Sequence, residues 1–177
     1  MRRPLLSAAL GRIPFLVLLF SLLALTALYA QPANDNCSGA IPITAGSPLM
    51  GSTTTATVEA PLPATCGTAI TAPGVWYTYT PSMSGLASFS TCNMANYDTK
   101  ISVYSGTCGT LTCLGGNDDG ASCSGATSLF TANVVGGTTY YIVVNGFNGL
   151  TGNFTLSVTF TPPPLPQPTT IARMPLR

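Results

Sequence analysis

The stretch "NFTLSVTF" (153–160) alternates apolar and polar residues along its whole length. Its apolar residues are every second one: Phe154, Leu156, Val158 and Phe160. Successive side chains of a β-strand point to opposite faces of the sheet, so this period of two is typical of a strand with one buried face. The stretch predicts an all-β fold in which a sheet packs one face against a core.

Shorter runs of the same kind precede it and are separated by Gly, Asn and Pro, which favour turns. They are "VWYTYT" (75–80), "LASFST" (86–91), "TKISVYS" (99–105), "SLFTANV" (128–134) and "TTYYIVV" (138–144), with weaker candidates at 40–45, 50–58 and 111–115. About eight short strands with frequent turns predict an antiparallel β-sandwich.

The two ends of the chain differ in composition from the middle. Residues 1–30 combine a basic start with the apolar run "IPFLVLLFSLLALTALYA" (13–30), which predicts a signal peptide cut after Ala30. An uncleaved membrane anchor is the alternative. Residues 31–160 then form the domain, and 161–177 form a Pro-rich tail or linker that begins "TPPPLPQP" (161–168).

Charge excludes some classes of partner. Only 6% of the residues are charged, and between residues 34 and 160 one lysine faces five acidic residues, a net charge of −4. Nucleic-acid binding needs a basic patch, so we expect no nucleic-acid partner. We expect contact with a membrane only through the signal segment, if it is uncleaved.

All six cysteines follow the signal segment, and an even number in an exported chain predicts three disulfides. Six cysteines allow fifteen pairings. Cys108 and Cys113 flank a short turn, and Cys37 and Cys66 both precede the first strong strand, which leaves Cys92 for Cys123. We therefore expect the bridges Cys37–Cys66, Cys92–Cys123 and Cys108–Cys113. The chain has no histidine and no CxxC pair, so zinc is not expected.

The order of the motifs resembles that of a known family. In sequence they are "NDNCSGAIPI" (34–43), "GVWYTYTP" (74–81), "YDTKISVYSGTCGTLTCLGGNDD" (97–119), "GTTYYIVVNGF" (137–147) and "GNFTLSVT" (152–159). Together they resemble the bacterial pre-peptidase C-terminal-like (PPC-like) domains, close to those in secreted proteins of Bacteroidetes. The resemblance implies a jelly-roll-like sandwich without a catalytic site. It also implies neighbours such as peptidases or adhesins, and in some relatives calcium binding and attachment to extracellular polymers.

Three of the five acidic residues lie close together in sequence: Asp98, Asp118 and Asp119. Calcium prefers six to eight oxygen ligands, so we expect a structural calcium site on these carboxylates. Asn117 and Asp35 are the further candidate ligands, and Asn96 lies nearby. The alternative is that Asp and Asn only form turns here, by accepting hydrogen bonds from nearby backbone amides.

Catalysis is not expected. Without histidine no Ser-His-Asp or Cys-His arrangement can form, and no P-loop, nucleotide fingerprint or GxSxG is present. Lys100 is expected to face solvent beside Asp98, and Trp76 to pack in the core. Tyr97 and Phe147 are the better candidates for an exposed ligand contact.

These observations predict a secreted or cell-surface, non-catalytic binding domain that attaches to an extracellular protein or polysaccharide. A structural spacer, or a fragment of a larger secreted peptidase or adhesin, is the alternative. A ligand screen separates the two.

Overall fold

A computed structural model describes residues 30–166 of the chain. Short 3-10 helices occur at Cys37–Gly39 and Phe147–Gly149. The nine strands of the described part are β1 (Ile41–Pro42), β2 (Leu49–Ser52), β3 (Val75–Tyr79), β4 (Gly85–Ser90), β5 (Thr99–Thr107), β6 (Thr110–Asn117), β7 (Leu129–Val134), β8 (Tyr140–Gly146) and β9 (Asn153–Thr161).

The strands form two sheets, one with the order β1-β3-β8-β5-β6 and one with the order β2-β9-β4-β7. All neighbours are antiparallel except the two-residue β1, which runs parallel to β3. The predicted all-β, jelly-roll-like sandwich is confirmed. The weak run at 111–115 belongs to an eight-residue strand, β6, whereas the run at 40–45 yields only two strand residues.

The main core lies between the two sheets and follows the alternation read from the sequence. In β9 the buried residues are Phe154, Leu156 and Val158, whereas Thr155 and Ser157 between them are only partly buried. They pack against Ala87 and Phe89 of β4 and against the inward side chains of the other sheet: Val75, Tyr77, Tyr79, Ile101, Val103, Ile142 and Val144. This core is what fixes the strand register, because a slip by one residue would turn each apolar set to solvent.

The outer face of the five-stranded sheet is also largely buried, because residues 57–74, the cover segment, pack against it. Trp76, Tyr104 and Val143 point to this side and pack with two cysteines, Cys37 and Cys66. The Tyr104 hydroxyl donates to the carbonyl of Ala64 in the cover segment, at 3.0 Å. Trp76 therefore packs in a core, as expected, but in a second and smaller one outside the sandwich.

The three disulfides join Cys37 to Cys108, Cys66 to Cys113 and Cys92 to Cys123. The third pair is the expected one, whereas the expected Cys37–Cys66 and Cys108–Cys113 bridges are wrong.

The physical reason is the register of the β5–β6 hairpin and the presence of the cover segment. Thr107 faces Thr110 at the hairpin tip, and Cys113 faces Tyr104 further along the ladder, so Cys113 and Cys108 are not opposite each other. Each of them instead reaches a different segment, at Cys66 of the cover segment and at Cys37 near the start of the domain. Both bridges therefore tie the hairpin to distant parts of the chain.

The ends of the described part bear on the predicted boundaries. The predicted signal segment lies outside the described residues apart from Ala30, and residues 30–166 contain no helix long and apolar enough to cross a membrane. Strand β9 continues to Thr161, which pairs with Leu86, so the predicted tail begins inside the last strand. The tail beyond residue 166 also lies outside the described residues.

Candidate metal centre

The β5–β6 hairpin brings the acidic residues together. Ile101 near the start of β5 pairs with Asn117 at the end of β6, so Asp98 just before β5 and Asp118 just after β6 lie at the same end of the hairpin. One carboxylate oxygen from each of Asp98, Asp118 and Asp119 lies within 4.8 Å of the other two. The structure thus groups three of the predicted metal ligands.

Two of these carboxylates are short of hydrogen-bond donors. Oδ1 of Asp98 and Oδ1 of Asp118 are buried and accept no hydrogen bond in the described part of the chain, whereas Asp119 is exposed. Burial raises the pKa of the Asp98 carboxyl, and the charges of Asp118 and Asp119 raise it further against the opposing effect of Lys100. Burial also raises the pKa of Asp118, with Lys100 lowering it and Asp119 raising it.

Lys100 lies beside this group and is buried, with only 4% of its surface exposed. Its Nζ donates to the Thr71 hydroxyl at 3.3 Å and lies 5.6 Å from the centroid of the Phe147 ring. The expectation that it faces solvent is wrong, because the cover segment lies over this face of β5. Lys100 partly offsets the negative charge of Asp98 and Asp118.

The other predicted ligands behave differently. Both carboxylate oxygens of Asp35 accept hydrogen bonds from Thr57, from its amide and from its hydroxyl, each at 2.6 Å. Asp35 is not part of the acidic group, so its assignment as a ligand is wrong: it holds the start of the cover segment.

The two asparagines also have partners in the backbone. The side-chain oxygen of Asn117 accepts a hydrogen bond from the amide of Leu129 at 3.4 Å, and that of Asn96 accepts one from the amide of Asn153 at 2.8 Å. Asn96 therefore joins its loop to the start of β9, which is a structural role but not the local turn that was the alternative to metal binding. Asn117 stands directly before Asp118 in the chain, and its part in the metal site stays a prediction.

Of the two aromatic residues predicted to contact a ligand, Tyr97 has a buried ring and Phe147 an exposed one. Tyr97 is 8% exposed and packs edge-on against Phe154, and burial raises the pKa of its hydroxyl to about 12. Its assignment as an exposed contact is wrong. Phe147 is 40% exposed, and its amide donates to the carbonyl of Asp98 at 3.1 Å. An exposed aromatic ring thus follows β8 next to the acidic group.

Sequence reasoning missed the residue that joins the two acidic segments. The buried Ser128 hydroxyl lies between them, against the carbonyls of Thr99 and Asp118, the latter at 2.6 Å. The Cys92–Cys123 bridge closes the chain around the same region. Ser128 carries no signal in the sequence, because it appears there as an ordinary first residue of a strand.

The donor set fits a hard divalent cation. Calcium binds carboxylate oxygens at 2.3–2.6 Å in flexible geometry, so oxygens that lie within 4.8 Å of one another can share one ion. A cation would also supply the partner that Oδ1 of Asp98 and Oδ1 of Asp118 lack. The three carboxylates leave further coordination positions for backbone carbonyls or water.

Comparison with known proteins finds similarity only at the level of solved structures. No family model matches, and no curated protein matches. The pre-peptidase C-terminal domain of a collagenase from Bacillus anthracis is 14% identical, with a TM-score of 0.44, over 68% of this chain and 94% of that one. PliG of Aeromonas hydrophila, a periplasmic inhibitor of g-type lysozyme, is 13% identical, with a TM-score of 0.42, over 69% of this chain and 96% of that one.

The first of these structures is a domain of the class that the ordered motifs resemble. At these identities and TM-scores the two similarities assign no family, site or activity to this chain.

Proposed function

We propose that the chain is a non-catalytic binding domain that works outside the cytoplasm and is stabilised by calcium at Asp98, Asp118 and Asp119. The observation that carries the calcium site is the pair of buried, unpartnered oxygens within a group of three carboxylates. Three negative charges held together repel each other, and Lys100 is the only cationic side chain in the described residues to offset them. A bound cation removes the repulsion and ties the start of β5 to the end of β6.

The three disulfides support a location outside the cytoplasm, where the environment is oxidising. The absence of histidine from the sequence supports a non-catalytic role, because it removes the most common general base. Attachment to an extracellular protein or polysaccharide is supported by the exposed Phe147 ring beside the acidic group.

Melting temperature tests the calcium site. Extracellular calcium sites bind at about 10⁻⁴–10⁻³ M, and calcium at a hundredfold above the dissociation constant would stabilise the fold by about 2.7 kcal/mol. For a domain of this size and a dissociation constant of about 10⁻⁴ M, that corresponds to a rise of roughly 10 °C between EDTA and 10 mM calcium. We expect Asp118→Asn to lose most of this rise.

Asp35→Asn is the matched control. It removes one carboxylate charge elsewhere and weakens the hydrogen bonds to Thr57, so we expect a lower melting temperature with the calcium response intact. If calcium leaves the melting temperature of the natural protein unchanged, the three carboxylates are turn residues only.

A screen of extracellular proteins and polysaccharides tests the binding role. We expect a bound partner whose affinity falls in Phe147→Ala, a substitution at an exposed position. A protein that folds stably and binds nothing in either screen would instead favour the structural spacer.

A further inference from the structure

A cavity of about 230 Å³ lies at the tip of the β5–β6 hairpin, at the opposite end from the acidic group. Along β5, Thr107 at the hairpin tip lies six residues after Ile101, which pairs with Asn117. At 3.3–3.4 Å per residue this is a distance of roughly 20 Å. The lining comes from three segments: Cys37, residues 59 and 61–64 of the cover segment, and residues 109–111 of the hairpin. The cavity is therefore separate from the candidate metal centre.

Covalent and hydrogen bonds hold the walls of this cavity in place. The Cys37–Cys108 disulfide joins one wall to the hairpin tip, and the Cys66–Cys113 disulfide joins the cover segment to the same hairpin. The hydrogen bond from Tyr104 to the Ala64 carbonyl fixes the segment between them. A site whose walls are already ordered loses less conformational freedom when a ligand binds.

Glu59 is the one charged residue that lines the cavity. Its Oε1 accepts a hydrogen bond from the amide of Cys37 at 3.0 Å, whereas its Oε2 is buried and has no hydrogen-bond partner among the described residues. Lys100, the only cationic side chain in residues 30–166, lies at the far end of the hairpin. Among the described residues, the carboxylate of Glu59 is thus stabilised by one hydrogen bond from a neutral amide and by no positive charge nearby. A partly buried charge without a counter-charge is unfavourable.

We propose that this cavity binds a guanidinium or ammonium group carried on an aliphatic stem. The positive group compensates the charge of Glu59, and the stem packs on the apolar side chains of Pro61, Leu62 and Leu111. The volume is below the 300–1,000 Å³ of sites for drug-sized ligands, so it suits one side chain or one small amine. The ligand can be a free amine or an arginine or lysine side chain of a partner polypeptide.

Backbone NMR shifts of the isotope-labelled full chain test this proposal, with two probes. The first is butylguanidinium, and the second is a short neutral peptide with one arginine. We expect both to shift the amide signals of Cys37 and Glu59, with millimolar affinity for butylguanidinium. If the arginine peptide binds more tightly than butylguanidinium, the natural ligand is a polypeptide partner. If the two bind equally, it is a small amine.

The controls remove one charge at a time. We expect the same peptide with citrulline in place of arginine to produce no shift, and Glu59→Gln to weaken the arginine peptide at least tenfold. Leu62→Lys, at a half-exposed position of the rim, supplies an internal cation and should compete with the probe even if Glu59→Gln folds poorly. Equal shifts from the citrulline peptide, or unchanged affinity in both variants, would overturn the proposal.

Asp118→Asn separates this site from the calcium site. We expect it to leave the binding of the arginine peptide unchanged while it removes the calcium response. The two sites can therefore fail independently.

Discussion

At the scale of single residues, Asp98 and Asp118 each carry a buried oxygen without a hydrogen-bond partner in the described chain, and the β5–β6 hairpin brings the two residues together. The sequence shows three scarce carboxylates at two positions along the chain, and the strand pattern between them implies a hairpin. It does not show that Asp35 has both oxygens engaged by Thr57, nor that a cover segment buries Lys100. These depend on segments without periodicity, whose path only the packed structure defines.

The raised pKa values of Asp98 and Asp118 predict how stability without calcium depends on pH. A folded-state pKa above the usual 3.8 means that the folded state binds more protons than the unfolded state between the two values. The destabilisation of the folded state by the two charged carboxylates is therefore complete at neutral pH. It is relieved as the pH falls through the raised pKa values. In EDTA, we expect the difference in melting temperature between the natural protein and Asp118→Asn to shrink from pH 7 towards pH 4.

The same reasoning predicts the direction in which Asp118→Asn changes the melting temperature at pH 7 in EDTA. The variant should melt at or above the temperature of the natural protein. The substitution removes one of three repelling charges and keeps the Asp118 backbone carbonyl that accepts from Ser128. Thermal melts at several pH values measure both effects. A variant that melts lower than the natural protein at every pH would show that the Asp118 carboxylate is not repelled.

At the scale of elements, the strands were predictable from sequence, whereas two of the three disulfides were not. Each of the stronger runs became a strand. The period of two is clearest in β9, which buries one face, whereas β3, β5 and β8 bury side chains on both faces. Disulfide partners depend on which strands are adjacent and on what crosses the sheet. Cys108 and Cys113 are close in sequence, yet the hairpin register and the cover segment direct them to Cys37 and Cys66.

Removing the Cys66–Cys113 bridge should destabilise the cover segment more than it destabilises the sandwich. The bridge spans 47 residues, for which the loop-entropy model gives a stabilisation of about 4 kcal/mol. In Cys66→Ala/Cys113→Ala we expect a fall in melting temperature and faster amide exchange in residues 64–71. Strands β4, β7 and β9 of the other sheet should keep their protection.

Removing the Cys92–Cys123 bridge provides the comparison. It spans 31 residues near the acidic group, and we expect Cys92→Ala/Cys123→Ala to weaken the calcium response instead.

Equal loss of amide protection in both sheets after removal of the Cys66–Cys113 bridge would contradict the prediction that the cover segment opens separately from the sandwich.

At the scale of the whole molecule, β9 is the strand that joins β2 to the rest of its sheet. It lies between β2 and β4 and pairs with both, through residues 153–156 on one side and 157–161 on the other. It also contributes three buried side chains to the main core: Phe154, Leu156 and Val158. The earlier strands therefore depend on a strand at the end of the described chain.

Two shortened proteins test this dependence. We expect residues 31–166 to fold with the melting temperature and calcium response of the full chain, because they include all nine strands of the described part. Residues 31–156 lose every β4–β9 pair and the buried side chain of Val158, which alone contributes about 1.5–3 kcal/mol. Together with the freed edge of β4, this loss approaches the 5–15 kcal/mol that holds a typical domain folded. Circular dichroism and thermal melts should therefore show an unfolded or aggregating protein for 31–156. A cooperative melt of residues 31–156 near that of 31–166 would show that the sheets do not need β9 to close.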